Sequence, residues 1–443
     1  MKKIYVLVLV TSLIMFGCGT RNSTSYKHFD ALSVTDNQSL GISLDKFKDV
    51  EDRSDKQNKN MTVVVAISGG GHRAGNFGVG VLTELENIKC NNKTYDALKE
   101  VDYFSTVSGG GFAAGAYIAS LYDHKSSEPY SFSKKVYEGD KGVNEIKHNL
   151  ERGYHNDLIE AFIKLKTLGY YDRGDYLEKE FDEKILGATY REGGKSITFG
   201  DMFIEKSSKE NPKLPIWFAN ATIYENGCIF SFYPEAFKEY RVTKYTHNVD
   251  KVKDIKDYAQ IPLSIGLKAS ASFPGAVPAT TLGSSYDPDN GFIHLFDGGL
   301  ADNLGVTTAI RILKESNNKN KVMIVIDAYN GNVEPFSKYE GSPSILQIYN
   351  RATSISLDAW RIRHKWVTDN MLKGIKKDGD KIEVIYLSFE QAENNTRLSV
   401  EEIGTNFNIN SGEQKALFKA AGEVVKKNTK IIIKSLFDKE CPP

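Results

Sequence analysis

Two side chains of this sequence have the type and the neighbours that acyl chemistry needs. Ser108 lies in Ser105-Thr106-Val107-Ser108-Gly109-Gly110-Gly111, and Asp297 lies in Phe296-Asp297-Gly298-Gly299. A serine hydroxyl becomes a nucleophile when an adjacent base takes its proton, and a carboxylate can be that base. The reaction also needs donors for the oxyanion that forms on the attacked carbonyl. The segment Ser68-Gly69-Gly70-Gly71-His72-Arg73-Ala74 offers them, because amides of residues without a Cβ can face a ligand closely.

The elements that must position these groups can be read around them. Met61 to Ile67 is β-branched and apolar, as in a buried parallel strand. Phe77, Val79, Val81, Leu82 and Leu85 then continue as a helix beginning near Arg73 or Ala74, so the glycines fall at a helix N-terminus, which favours an anion. Asp102 to Val107 reads as a second short strand, and the small-residue run from Gly110 through Ala119 reads as a helix. A Ser between strand and helix, flanked by glycines, is a nucleophile elbow. Thr106 replaces the first glycine of the usual G-x-S-x-G and adds bulk where strand and helix crowd together. Ile293 to Phe296 reads as a strand that delivers Asp297 to its glycine turn.

Each motif alone has a plain reading. Ser108 could occupy a glycine-rich turn without chemistry, and a lone Asp-Gly-Gly is ordinarily just a turn. The Gly69 to Gly71 turn could cradle a phosphate, but the Walker ending and a dinucleotide G-x-G-x-x-G with an acidic partner are missing. Three such turns, each ending an apolar strand, favour a catalytic set.

Together the motifs resemble the patatin-like phospholipases, including the cytosolic phospholipase A group, from about Met61 to about Asn330. Ser68 to Ala74 is similar to the family's glycine-rich oxyanion motif with its Arg, Thr106 to Gly110 to its nucleophile motif, and Asp297-Gly298-Gly299 to its acidic motif. Asn303 fits as well, whereas Gly305 stands where the family has Pro. Ala269 to Gly275 resembles the segment that packs beside the family's site.

The resemblance implies an α/β, patatin-like three-layer fold, with a mainly parallel central sheet between helices and a helical insert. It implies a lipid acyl hydrolase of the phospholipase A or lysophospholipase type, with a Ser108–Asp297 dyad and an acyl-serine intermediate. Gly69, Gly70 and Gly71 would form the oxyanion hole, supported by Gly110, Gly298 and Gly299, with no cofactor and no metal. Arg73, near the helix start, would either reach a substrate phosphate or brace the glycine turn.

Length and composition agree with that class. The 443 residues, 40% hydrophobic and 26% charged, suffice for one large α/β domain or two smaller ones. A net charge of +0 gives no bulk basic field for nucleic acid or for attraction to an anionic membrane. The expected partner is a membrane phospholipid or another lipid ester.

At the N-terminus, Lys2-Lys3 precede the apolar run Ile4 to Phe16, too short to span a bilayer. The following Gly17-Cys18 resembles a bacterial lipoprotein cleavage box, with an ordinary secretory signal as the alternative. The organisation expected is a signal peptide at 1–17, a lipidated Cys18 opening a polar tether at 18–60, a core at 61–330 and a C-terminal extension at 331–443. A helical insert at about 125–210 would be either a cap over the acyl pocket or a packed subdomain. The location implied is the cell envelope, lipid-anchored, at the outer membrane where there is one.

Cys90, Cys228 and Cys441 remain, three thiols that imply no disulfide framework. Helices are expected at Asp157 to Leu168, Asp175 to Leu186 (with Asp175 and Glu178 as an N-cap pair), Ser342 to Trp360 and Ser411 to Lys427. Glu225-Asn226-Gly227 between apolar runs signals a hairpin. Lys321 to Ala328 and Ile382 to Leu387 read as further strands.

Two other functions are compatible with the motifs. The order Ser108, Asp297, His364 fits an α/β-hydrolase triad, although His364 lies in a basic helical stretch that reads as surface. A lipoprotein that keeps the fold only to bind lipid is the other, and Thr106 is the one feature pointing to it. Cys18→Ser should abolish incorporation of a fatty-acid analogue and release the protein from the membrane fraction; an unlabelled wild-type chain would leave only a secretory signal.

Overall fold

The computed structural model describes residues 56–124, 129–137, 146–151, 173–202, 214–245, 247, 253–285, 291–329, 355, 361, 363–405 and 408–441. Its strands are β1 (Met61–Ile67), β2 (Ile88–Cys90), β3 (Lys93–Tyr95), β4 (Tyr103–Val107), β5 (Ile216–Ile223), β6 (Ile229–Phe232), β7 (Val242–Tyr245), β8 (Lys253–Asp254), β9 (Thr280–Ser284), β10 (Phe292–Asp297), β11 (Asn320–Asp327) and β12 (Lys381–Ser388). All but β2 and β3 join one sheet in the order β12-β11-β1-β4-β5-β10-β9-β7-β8, with β6 also paired to β5.

From β12 to β5 neighbouring strands are parallel. Beyond β5 the pairings through β10, β9, β7 and β8 are antiparallel. The parallel half carries the buried, β-branched runs: every residue of β1, β4 and β5 is buried. Strands covered on both faces have no reason to alternate polar and apolar residues.

Helices flank this sheet. They include α1 (Gly71–Leu85), α2 (Gly110–Tyr122), α3 (Arg173–Glu180), α4 (Leu263–Ser270), α5 (Gly299–Asp302), α6 (Val306–Glu315), α7 (residues 363–375) and α8 (Ser411–Phe437). Helix α1 packs on α2 and α8, and α6 packs on β1 and β4. The α1–α8 contact is close because Gly80 faces Ala421, where a Cβ would lie only 2.8 Å from that side chain.

Several sequence expectations shift. Helix α1 begins at Gly71, before Arg73, so the glycine turn supplies its first residue. The helix expected at Asp175 to Leu186 divides: α3 ends at Glu180, a π-helical turn covers Phe181–Ile185, and Asp175 sits inside the first turn instead of capping it. The helix expected at Asp157 to Leu168 lies outside the described residues, as does that at Ser342 to Trp360 except for Ile355, which is helical. The Asn-Gly hairpin forms, with the Cys228 amide donating to Asn226 Oδ1 at 2.8 Å and Gly227 at φ 71°. Helix α8 runs ten residues past Lys427, from an Asn410–Glu413 capping box to Phe437.

Two long-range fastenings were not read from the sequence. The strand β12 enters the main sheet beside β11, so the chain after 330 helps build the sheet itself. Cys90 and Cys441 form a disulfide, with Cα atoms 5.7 Å apart across 351 residues, contrary to the expectation of no disulfide framework. Their pairing follows from α8 returning the chain end to the β2–β3 hairpin, a proximity that spacing alone does not reveal.

The chain is tied to the core before β1 begins. Lys56 Nζ donates to both carboxylate oxygens of Asp102, at 2.8 and 2.7 Å, and to the Met61 carbonyl at 2.7 Å. Both side chains are fully buried. Asp102 also accepts from the Val63 amide at 2.8 Å, so it fixes the starting ends of β1 and β4. Lys56→Ala would leave a buried carboxylate without its counter-ion, and removal of one partner from such a pair costs about 3–5 kcal/mol. Urea unfolding should show a loss of that order; a change within about 0.5 kcal/mol, typical of a surface substitution, would mean the pair is not buried in solution.

Candidate active site

Strand register brings the expected catalytic groups to one level. Ile67 pairs with Thr106, Val107 with Asn220, and Asp297 with Ala221. Ser108, one residue past Val107, therefore stands level with Ala221 and Asp297, and Gly69 comes level from β1. The glycine turn, the elbow and the acidic turn meet around the finishing ends of β1 and β4.

Ser108 occupies the elbow with φ 50°, a left-handed conformation that an L-residue adopts only when its surroundings enforce it. The enforcement is steric. A Cβ on Gly109 would lie 1.9 Å from the Gly71 carbonyl oxygen, and one on Gly110 would lie 2.6 Å from the carbonyl oxygens of Ile67 and Ser68. The backbone of Ser108 is also held, its amide donating to Ser270 Oγ at 2.8 Å.

Thr106 fits without distorting the elbow. Its Oγ1 accepts from Trp217 Nε1 at 2.7 Å. The crowding it brings is taken up one turn later, since a Cβ on Gly111 would be 3.4 Å from that Oγ1 and 2.6 Å from Leu267.

Asp297 is buried, and the Ser108 side chain lies near enough to its carboxyl to favour the charged form. Desolvation raises its pKa from 3.8 to about 6, against the opposing pull of the Gly299 amide and Ser108. The Gly299 amide donates to Oδ1 at 2.8 Å, and Thr222 Oγ1 donates to the Asp297 carbonyl at 2.8 Å. Gly298 is required by close approach, because a Cβ there would lie 2.1 Å from the Asn220 carbonyl oxygen.

Ser270, at the end of α4, joins the elbow to the acidic turn. Its hydroxyl accepts from the Ser108 amide and donates to the Asn220 carbonyl at 2.6 Å, while its carbonyl accepts from the Gly298 amide at 3.2 Å. The Asp297 amide donates to the Ser272 carbonyl at 2.9 Å. Asn220 is a second hub: its Nδ2 donates to Ser105 Oγ and the Thr106 carbonyl, and its Oδ1 accepts from Ser231 and Thr308. Sequence reasoning passed over Asn220; a lone amide inside the apolar run Pro215 to Thr222 was the available signal.

The glycine turn is organised differently from the expectation. The Gly69 amide donates to the Asn303 carbonyl at 2.9 Å, so it is already committed. Gly69 is instead a spacer, where a Cβ would lie 2.4 Å from Asn303 Oδ1 and 3.4 Å from Ser108 Cβ. Gly70 and Gly71, at φ 140° and 58°, open α1, where the first amides have no acceptor within the helix.

Arg73 does not have the phosphate-binding geometry considered for it. The side chain is buried, with Nε donating to the Ala328 carbonyl at 2.8 Å and Nη1 to the Ile403 carbonyl at 2.7 Å. Burial lowers its pKa to about 10, with Asp327 opposing that shift. Arg73 thus braces the glycine turn against the ends of β11 and α8's approach, the other role the sequence allowed.

His364 stands apart from the dyad. Its Nδ1 contacts the Arg361 carbonyl, its ring lies 5.8 Å from Tyr386, and it lines a small pocket with Asn303, Leu304, Asp327 and Arg361. Neither of these contacts is with Ser108 or Asp297, both of which a triad histidine would have to bond. Cys18 lies outside the described residues.

Comparison with known proteins follows the same lines. The chain is similar in structure to human GIVD cytosolic phospholipase A2, with a TM-score of 0.44 at 11% identity, covering 89% of this chain and 65% of that one. The complex of that human protein with methyl gamma-linolenyl fluorophosphonate gives a TM-score of 0.42 at 12% identity, covering 89% and 62%. VipD from Legionella pneumophila gives 0.34 at 12% identity, covering 85% and 67%. The chain thus spans less than two thirds of the human protein's length. A search of curated protein sequences returns no match. A model described as patatin-like phospholipase matches residues 65–310, which include all three turns. That match extends over more than half of the sequence, and the chain belongs to the patatin-like phospholipase family.

Proposed function

We propose that the protein hydrolyses carboxylic esters of membrane lipids, as a phospholipase A or lysophospholipase, through a Ser108–Asp297 dyad. The observation that carries this reading is Ser108, held in a left-handed elbow, beside a buried carboxylate whose pKa is lifted to about 6. A free carboxylate is too weak a base near neutral pH; desolvation brings it closer to the working range. Family membership supports the substrate class.

In the proposed reaction Ser108 Oγ attacks the ester carbonyl as its proton passes to Asp297. The amides of Gly70 and Gly71 stabilise the tetrahedral oxyanion, each such donor being worth roughly 3–4 kcal/mol. The alcohol leaves with the proton returned by Asp297, and the acyl group stays on Ser108. Water then gives its proton to Asp297, attacks the acyl-serine and releases the fatty acid, with the proton returning to Ser108. Gly110 and Gly298 act by letting the turns approach, Gly299 by its amide bond to Asp297, and Ser270 as a positioning residue.

We also place the protein at the cell envelope, anchored through Cys18. The Cys90–Cys441 disulfide supports an oxidising compartment.

Ser108→Ala and Asp297→Asn should each lower hydrolysis of a short-chain nitrophenyl ester on the order of 10⁴-fold with circular dichroism unchanged, while His364→Gln keeps most activity. In the wild type, kcat/KM should rise with pH through an apparent pKa near 6, as Asp297 loses its proton. Full activity in folded Ser108→Ala would end the enzyme reading, and a 10⁴-fold loss in His364→Gln would move the base to the imidazole.

Asp297 should also work against stability where it is active. Folding raises its pKa above 3.8, so the folded chain binds the proton more tightly than the unfolded one. That contribution is complete below about pH 4 and disappears as pH rises through about 6. Asp297→Asn should therefore raise stability relative to wild type by up to about 3 kcal/mol at pH 8, with a smaller gain or none at pH 4. Equal effects at both pH values, read by urea unfolding, would show that the carboxyl is not desolvated.

A further inference from the structure

Helix α7 presents two unlike faces. Thr368 and Leu372 are buried, and Met371 and Ile375 pack against the core. Outward, Arg363, Trp366, Asn370 and Lys373 follow one another at spacings of three or four, which aligns them in one stripe. Lys365 is exposed beside it, and Lys376 and Lys377 continue the cationic run. Asp369 is the only carboxylate among residues 363–377.

Trp366, at 72% exposure, is the most exposed of the large apolar side chains among the described residues. An exposed indole between Arg363 and Lys373, with Lys365 and Asp369 beside it, in a chain of net charge +0 is a local feature, not a reflection of bulk charge. The same end of α7 reaches the catalytic region. Arg361 and His364 share their pocket with Asn303, and the Asn303 carbonyl holds the Gly69 amide.

We propose that this stripe docks the protein on an anionic lipid bilayer, with Trp366 seated at the headgroup level. The indole suits that depth because one edge is apolar and the N–H stays hydrated. The surrounding Lys and Arg supply the attraction to anionic headgroups. A protein partner is disfavoured because the neighbours of Trp366 along the stripe are charged or polar, whereas the core of a protein interface is depleted of charge. The inference rests on the lipid-ester reading for its purpose, since docking here would bring the glycine turn beside lipid.

The test uses the full chain carrying Trp360→Phe. Of the three tryptophans Trp217 is buried, so Trp366 becomes the reporter. On vesicles of phosphatidylglycerol with brominated acyl chains, Trp366 fluorescence should shift to the blue and be quenched; on brominated phosphatidylcholine the effect should be several-fold weaker. Arg363→Gln with Lys373→Gln should weaken the phosphatidylglycerol effect roughly 25-fold in lipid concentration, about fivefold per charge.

Unquenched Trp366 on vesicles that carry the chain, or equal quenching on both lipids, would overturn the proposal. So would absent quenching combined with a Trp366-dependent cross-link to an envelope protein, which would identify a protein partner. The quenching needs no turnover and should persist in Ser108→Ala. Lost quenching with Ser108-dependent hydrolysis intact would overturn docking alone, and quenching with Ser108-independent hydrolysis would overturn the dyad alone.

Discussion

The site depends on one steric constraint: where the three turns meet there is no room for a methyl group. The Gly71 carbonyl occupies the space of a Cβ on Gly109, the Ile67 and Ser68 carbonyls that of Gly110, and the Asn220 carbonyl that of Gly298. Backbone pressed on backbone leaves the elbow a single conformation, and Ser108 accepts a left-handed φ as a result. Its side chain is thereby set beside Asp297 before substrate arrives. Pre-set geometry of this kind is what converts binding into catalysis.

Polar hubs make that crowding tolerable. Ser270 satisfies groups from the elbow, from β5 and from the acidic turn at once, and Asn220 ties β4 to β5, β6 and α6. Buried amides and hydroxyls left unmatched here would each cost about 1–3 kcal/mol. The one charged group in the cluster, Asp297, is held against its own solvation preference. The protein keeps a carboxylate where an amide would be more comfortable.

The three turns were legible in the sequence because they rest on a residue type with few substitutes. Only glycine fits at 109, 110 and 298. Strands such as β1 and β11 were legible because a parallel strand covered on both faces must be continuously apolar. What escaped was set by distance in space. Arg73 read equally well as ligand or brace, and its burial between β11 and the chain near Ile403 decides for the brace. Gly69 looked like an amide donor until Asn303 was seen to hold it. Cys90 and Cys441 stand 351 residues apart, and no local pattern announces such a meeting. The antiparallel half beyond β5 had weaker strand signals, since β7 and β10 are only partly buried.

Lys56 gives the molecule a polarity that bears on how it could be held. It is fastened at the starting ends of β1 and β4, whereas the dyad sits at their finishing ends, about 20 Å away along the strands. Any pull on the chain ahead of Lys56 is therefore taken up by a buried ion pair at the end of the sheet opposite the three turns.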